Sequence, residues 1–492
     1  MNYIGISAGF HDAAMAVITD KGDIAFAAHS ERYSGIKHDK SLSPYLIEDA
    51  LAHTDGVYQL HYYERPWLRW LRALRTGQAR PSTRPQNLLG QSQWDILDRR
   101  KLYTHGHHLS HAAAQFQTSP YEEATVVVID AIGEFDTATI WEAHYDANGF
   151  ARYKRLWSQT YPDSVGLFYT AMTQRVGLRP LDEEYILMGM AAYGNTKLEP
   201  VMNNDLVASI EHTTFKQNMH TGVNPNYLHG ADDFDIAATT QSIAEQYIGA
   251  IMKRAQTLSP SKNLCYGGGV ALNCLANRLL GEYYENIWIM PNPGDAGSSL
   301  GASCLGYGRR VNWHSASLGH IIPGSYPVDD IMVQLLDKSI VGVASGPAEY
   351  GPRALGNRSL LADPRGTEIK EKVNDIKRRQ HFRPFAPVIL EELADTYFDM
   401  PRAWHTSRYM QSVARCRVPE LFPAIVHRDG TSRVQTVPKD GSGIRQLLEQ
   451  WYAITGCPML LNTSLNIRGE PMVNNRADAD RFEKLYGVKV CS

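Results

Sequence analysis

An α/β fold in two domains is what this sequence predicts, on three grounds. The chain has 492 residues, too many for one ordinary core. Its opening alternates short Ile-, Val- and Ala-rich segments with glycine-bearing loops, and a later apolar run, Thr125 to Asp130, ends in a carboxylate. Helical patterns separate that run from a further short strand and a glycine-rich turn. Hydrophobic residues at 43% and charged residues at 21% fit a folded globular chain. A net charge of −3 gives no global attraction to nucleic acid or an acidic membrane.

The elements follow in order. Asn2 to Ser7 and Ala14 to Thr19 read as strands, Lys21-Gly22-Asp23 as a tight turn, and Ile24 to Ala28 as a third strand. This succession is how an actin-like or ribonuclease-H-like nucleotide-binding half begins. Thr137 to Glu142 is the return strand after Thr125 to Asp130. A helix spans about Gln241 to Gln256, and Asn263 to Tyr266 then enters Gly267-Gly268-Gly269. Pro, Gly, Ser and His without periodicity mark 316–328 as a linker between a first domain, 1–315, and a second, 329–492. A basic helical insertion covers about 64–101.

The N-terminus MNYIGISAGF has no basic segment leading into an apolar one, and no apolar run approaches the roughly 20 residues that span a bilayer. The six cysteines form no C-x-x-C pair, so buried reduced thiols in a cytoplasmic protein are expected.

Three constellations carry chemistry. In HGHHLSHAAAQF, His107 and His111 stand one helical turn apart and could share a metal, although an isolated pair is more often two part-buried histidines at a helix start. Asp130 and Asp295 offer two carboxylates; with two imidazoles they suit Fe(II), Mn(II) or Zn(II) better than a soft ion. The second is GGGVALNCLANR. Its glycines Gly267, Gly268 and Gly269 permit close approach to phosphate, and Asn273 could hold a ribose or phosphate, though a bare glycine run is more often a tight turn. The third is cationic: Gly351-Pro352-Arg353 through Arg358, then Lys377-Arg378-Arg379-Gln380-His381-Phe382-Arg383, then Asn462-Thr463-Ser464-Leu465-Asn466. Interleaved Pro, Gly, Phe and Ala argue for the lip of a pocket rather than a solvated charge run.

Taken together, GFHDAA, HHLSHAAAQF, VVVIDAIGE, ILMGMAAYG, GGGVALNCLANR, PNPGDAGSSLGA, GPRALGNRSLLADPR, FRPFAP and LLNTSLNIRGEP resemble the NodU/CmcH/TobZ-type O-carbamoyltransferases, in that family's order and over nearly the whole chain. The resemblance implies an actin-like (ASKHA) first domain and a smaller α/β YrdC-like second domain. It implies an enzyme that turns carbamoyl phosphate and Mg-ATP into carbamoyl adenylate and passes the carbamoyl group to an acceptor hydroxyl. It further implies a divalent metal, usually iron, on His107, His111, Asp130 and Asp295, with His11 as general base and Asp12 orienting its loop or holding a cation. Gly268, Gly269 and Asn273 would meet the nucleotide. Arg353, Lys377, Arg383 and Ser464, supported by Asn462 and Asn466, would hold carbamoyl phosphate. A homodimer is open. Two departures are Gln380 where relatives have Glu, and Ile186 where they often have Lys.

The acceptor is open between a sugar or natural-product hydroxyl and a hydroxymethylpyrimidine, free or in DNA. From Arg65 to Lys101, nine cationic residues stand against Asp95 and Asp98, and Arg69, Arg72 and Arg75 follow one helix face among Trp67, Trp70, Leu71 and Leu74. Such a strip could track a phosphodiester backbone, or the Trp/Leu side could pack inward with the arginines solvated. Rival classes are an ATPase or sugar kinase of the same first-domain fold, and a nucleotide-switched binding protein.

Overall fold

The computed structural model describes residues 1–76 and 80–492; residues 77–79 of the basic insertion lie outside the described residues. Mixed α/β architecture is observed. The first sheet comprises β1 (Asn2–Ser7), β2 (Ala14–Ile18), β3 (Ile24–His29), β4 (Tyr58–Tyr62) and β5 (Leu102–Thr104), in the order β3-β2-β1-β4-β5. β1, β2 and β3 are antiparallel neighbours, while β4 and β5 run parallel to β1.

The second sheet repeats this plan. β6 (Glu123–Gly133), β7 (Asp136–Tyr145) and β8 (Ala151–Thr160) form an antiparallel meander, and β9 (Asn263–Gly267) and β10 (Asn286–Trp288) add parallel to β6. The order β10-β9-β6-β7-β8 is the first sheet's order read from the other edge. The fold is therefore a structural duplication, and no residue-level repeat announces it.

Each copy ends in a helix: α2 (His107–Gln117) after β5, and α4 (Ser298–Tyr307) after β10. α4 packs on β1, β2 and β4, whereas α2 packs on β6 and β9, so each helix covers the other copy's sheet. The two helices meet face to face between the sheets. A Cβ on Gly301 of α4 would lie 1.8 Å from the Ser110 carbonyl of α2, so only glycine permits that crossing. Against the second sheet lies α3 (Asp233–Leu258), whose N-cap Asp232 accepts from Phe234 N–H and whose buried face includes Ile236, Ala244, Ile251 and Met252. The insertion helix α1 (Pro66–Thr76) lies between β4 and β5.

Residues 340–491 build a six-stranded sheet: β12 (Ile340–Ala344), β14 (Arg358–Ala362), β15 (Ala386–Leu390), β16 (Gln435–Val437), β17 (Met459–Ser464) and β18 (Val490–Cys491), ordered β16-β15-β17-β14-β12-β18. Within the stretch read as a linker, β11 (Ser317–Ile322) pairs antiparallel with β13 (Gly346–Glu349). The Arg32 guanidinium donates to the carbonyls of Glu349 and Gly351, tying the first sheet to this region. All six cysteines are free and buried. No helix among the described residues is long and apolar enough to cross a membrane.

Candidate functional site

The alanine-rich face of α2 is fully buried, and the pitch of the helix sets His107 and His111 one above the other at its start. Their Nε2 atoms are 3.1 Å apart. Asp130, near the end of β6, brings Oδ2 to 3.2 Å from His107 Nε2 and 3.6 Å from His111 Nε2. Asp295, just before α4, sets Oδ1 3.3 Å from each. One ligand atom from each of the four lies within 4.8 Å of the others. Thus the structure gathers the four residues whose convergence sequence alone left open.

Burial lowers the affinity of both histidines for a proton, but Asp295 and Asp130 outweigh it and raise them. The same contacts hold Asp130 and Asp295 well below the usual carboxylate range despite their burial. Two imidazole nitrogens and two anionic oxygens, all inward, fit a divalent cation of the Fe(II), Mn(II) or Zn(II) kind.

Beside this cluster stands His11, in the loop after β1. Its Nδ1 is 2.8 Å from Asp12 Oδ2, and its Nε2 is 3.6 Å from Asp295 Oδ2. Burial alone would lower its pKa; the Asp12 hydrogen bond and the nearby carboxylates bring it up to about 9.

In the glycine run, Gly268 has φ +87°, and a Cβ there would lie 2.2 Å from the Ile129 carbonyl. That position demands glycine for the turn itself. A Cβ on Gly267 would lie 2.7 Å from the Gln115 side chain, so that position is tight without a left-handed backbone, while Gly269 and Asn273 line the cavity. Gly269 N–H donates to Asp130 Oδ1 at 3.2 Å. Asn273 caps a short helix through Ala276 N–H and exchanges hydrogen bonds with Gln241.

A cavity of about 550 Å³ is lined both by His11, Asp130 and Asp295 and by Arg353, Arg383 and Ser464 from the region of the six-stranded sheet. Helix α5 (Ile369–Ile376) delivers Lys377 at its C-cap. Its ammonium is met by the carbonyls of Ser464 and Asn466, by Asn466 Oδ1 at 3.0 Å and by Ser464 Oγ at 3.2 Å. Lys377 therefore holds the 464–466 loop as well as lining the cavity, and burial pushes its pKa well down.

Arg353 is brought down to about 9, first by burial and then by Arg433 and Arg383. Among the described residues no carboxylate pairs with Arg353, Arg379, Arg383, Arg433 or Lys377. Crowded, desolvated cations of one sign favour a polyanionic guest. Asn462 donates to Gln435 and Ala354, leaving Oδ1 buried at the cavity wall without a hydrogen-bond partner among the described residues. Arg433 and Arg468 escaped the sequence reading; Arg468 stood in plain view inside LNTSLNIRGEP, but Arg433 lies in no motif. Of the two departures, Ile186 is core, whereas Gln380 follows the cavity-lining Arg379 with its Oε1 buried and without a hydrogen-bond partner among the described residues.

The arginines of α1 require a correction. Arg69 donates to Glu64 and to the Gly9 carbonyl, and Arg72 donates to the Glu134 carbonyl. Arg75 sits over the Phe135 ring at 5.5 Å. Trp67, by contrast, is 55% exposed. Arg69 and Arg72 turn into the protein, where buried acceptors need donors, and are not available to a phosphodiester backbone, whereas Arg75 is exposed.

Two family models match the chain: "Carbamoyltransferase N-terminus" over residues 88–304 and "Carbamoyltransferase C-terminus" over 333–490. The uncharacterized protein sll1178 of Synechocystis sp. is 32% identical, over 97% of this chain and 93% of its own length. Nodulation protein NolO of Bradyrhizobium diazoefficiens is 30% identical over 76% of this chain and 75% of its own. The solved Acidaminococcus fermentans (R)-2-hydroxyglutaryl-CoA dehydratase component A aligns with 62% of this chain and 98% of its own at 14% identity and TM-score 0.37.

Proposed function

The chain belongs to the carbamoyltransferase family and is a carbamoyltransferase; from that premise we propose that it is an ATP-dependent O-carbamoyltransferase acting on a small-molecule alcohol. The observation that carries this reading is one cavity lined both by crowded arginines and by His11, Asp130 and Asp295. In the proposed sequence, water cleaves carbamoyl phosphate to carbamate and phosphate, and a carbamate oxygen attacks the α-phosphorus of ATP to give carbamoyl adenylate with pyrophosphate leaving. The acceptor oxygen then attacks the carbamoyl carbon and AMP leaves.

Each residue has a task in this scheme. Arg353, Arg383 and Arg433 neutralise phosphate oxygens in a desolvated pocket, where such contacts are strongest. Lys377 fixes the 464–466 loop at the cavity wall. The unpartnered Asn462 Oδ1 is an acceptor suited to a carbamoyl NH₂. His11, once its Nε2 is deprotonated, takes the proton of the acceptor hydroxyl there while Asp12 orients its ring. His107, His111, Asp130 and Asp295 would hold a divalent cation, which would offset negative charge on the reacting oxygens. Enclosure between the sheets excludes water from a labile acyl adenylate.

The duplicated sheet with crossed helices supports an actin-like (ASKHA) first domain, 1–315, and the six-stranded sheet supports a YrdC-like second domain, 329–492. Mg-ATP fits Gly269 and Asn273 on the cavity wall. The inward turn of Arg69 and Arg72 favours a sugar or natural-product hydroxyl over a hydroxymethylpyrimidine in DNA.

The test supplies ATP, carbamoyl phosphate and Fe(II) or Mn(II), with a panel of alcohols including glycosides and hydroxymethylcytidine. Carbamoyl-phosphate-dependent AMP and pyrophosphate, with an acceptor about 43 Da heavier because a carbamoyl group replaces a hydrogen, is the expected result. ADP and phosphate, independent of carbamoyl phosphate, would instead indicate an ATPase or kinase.

A further inference from the structure

His38 takes no part in the scheme above, yet it is the middle of a chain of short hydrogen bonds that ends on His11. Its Nδ1 is 2.8 Å from Asp12 Oδ1, while the other Asp12 oxygen, Oδ2, is 2.8 Å from His11 Nδ1. Its Nε2 is 2.9 Å from Asp182 Oδ1, which also accepts from Lys37 Nζ at 2.7 Å. The His38 backbone N–H donates to Glu31 Oε2 at 3.0 Å. His38, Asp12 and Asp182 all line the cavity.

The backbone adds an independent sign. Asp12 has φ +50° and His38 φ +56°, both in the left-handed region. Asp and His tolerate that region better than most residues, but it still costs energy, and such residues cluster where a side chain must be aimed. Here the two left-handed residues are hydrogen-bonded partners from different loops.

We infer that His38 is a positioning residue for His11: held between Asp12 and Asp182, it locks the Asp12 carboxylate so that the second oxygen fixes the His11 ring with Nε2 facing the reaction centre. Both His38 nitrogens face carboxylates, so each acts as a donor, and the ring is a cationic strut rather than a second base. Its neighbours agree: Asp12, Asp182 and Glu31 are acidic, and Lys37 is drawn off by Asp182. Burial opposes the charge, but the Asp12 and Asp182 hydrogen bonds bring His38 up to about 10.

The inference deepens the proposed role of His11 and rests on it for its catalytic meaning, so two measurements are needed. The first is structural. In the zinc-loaded full-length chain, labelled with ¹⁵N-histidine, His38 shows both ring nitrogens protonated at pH 7.5, and His11 shows one ordered ring state. His38→Asn keeps a donor where Nδ1 stood and leaves His11 unchanged; His38→Gln keeps one where Nε2 stood, and His11 loses its single state. A neutral His38, or a His11 signal indifferent to His38→Gln, overturns the inference.

The second is kinetic, using carbamoyl phosphate, ATP and molar glycerol as a generic alcohol. With thermal midpoints equal, kcat falls about 100-fold in His38→Gln and much less in His38→Asn, while KM for carbamoyl phosphate stays within a factor of about 3. Equal kcat in wild type and His38→Gln overturns the inference. A wild type that makes no carbamoyl-phosphate-dependent AMP sinks the proposed function instead and leaves the histidine spectra to decide this one.

Discussion

The Arg69 guanidinium lies 3.0 Å from the Glu64 carboxylate with one nitrogen and 3.1 Å from the Gly9 carbonyl with another. Glu64 in turn stands 3.9 Å from His107 Nδ1. A single side chain on α1 thus braces the loop that carries His11 and backs one member of the His/Asp cluster. Arg69→Ala would leave Glu64 as a buried, unopposed charge and is expected to cost about 3 kcal/mol in urea unfolding. Arg69→Lys restores charge without the fork and should fall between. Unchanged stability in the alanine variant would show that the brace does nothing.

Cation binding should depend on all four residues of the cluster. After dialysis against Mn(II), the wild type is expected to retain close to one ion per chain by elemental analysis. Asp130→Asn and His107→Gln should each lower affinity by at least about 10-fold. Retention unchanged in both variants would remove the cluster from consideration as a metal centre.

The crowded cations make their own forecast. Inorganic phosphate should raise the thermal midpoint, because an anion that binds only the folded chain stabilises it by about 2.7 kcal/mol at a hundred times its Kd. Arg353→Gln should blunt that rise and increase KM for carbamoyl phosphate by about 10-fold, with a smaller effect on kcat. A phosphate response identical to the wild type would place the anion elsewhere.

Acid should destabilise the fold partly through His29. Burial, reinforced by Arg32, pulls its pKa down to about 3, and Asn292 donates to its Nε2 at 2.8 Å. The folded chain therefore keeps His29 neutral while the unfolded chain protonates it below about pH 6.5. Stability is present above pH 6.5 and is lost as pH falls toward 3, by about 2 kcal/mol between pH 6.5 and 5 from this residue alone. Urea unfolding at the two pH values should show that loss shrinking in His29→Gln; an equal loss in both proteins would exonerate His29.

Local signals were legible in the sequence where a residue's neighbours along the chain decide its state. The Ile/Val runs of β1, β2 and β6 and the H-x-x-x-H turn of α2 are of this kind. Convergence of His107 and His111 with Asp130 and Asp295 rested on motif order, since nothing local relates residues so far apart. The arginines of α1 were misjudged as a surface strip because helical spacing says which residues share a face, not what that face meets. Here it meets Glu64 and two carbonyls, so charge goes in and Trp67 stays out. His38 gave no sequence signal at all; its partners Asp12 and Asp182 come from different parts of the chain. The duplicated sheet was equally invisible, because the two copies share strand order and not side chains.

That duplication governs how the enzyme can breathe. His107 and His111 open the closing helix of one copy and Asp295 precedes the closing helix of the other; His11 follows the leading strand of one and Asp130 ends the leading strand of the other. The reactive groups therefore straddle the seam between the halves. Because α4 packs on the first sheet and α2 on the second, a rotation that widens the seam would carry His11 and Asp295 together away from His107, His111 and Asp130 and so open the four-residue cluster.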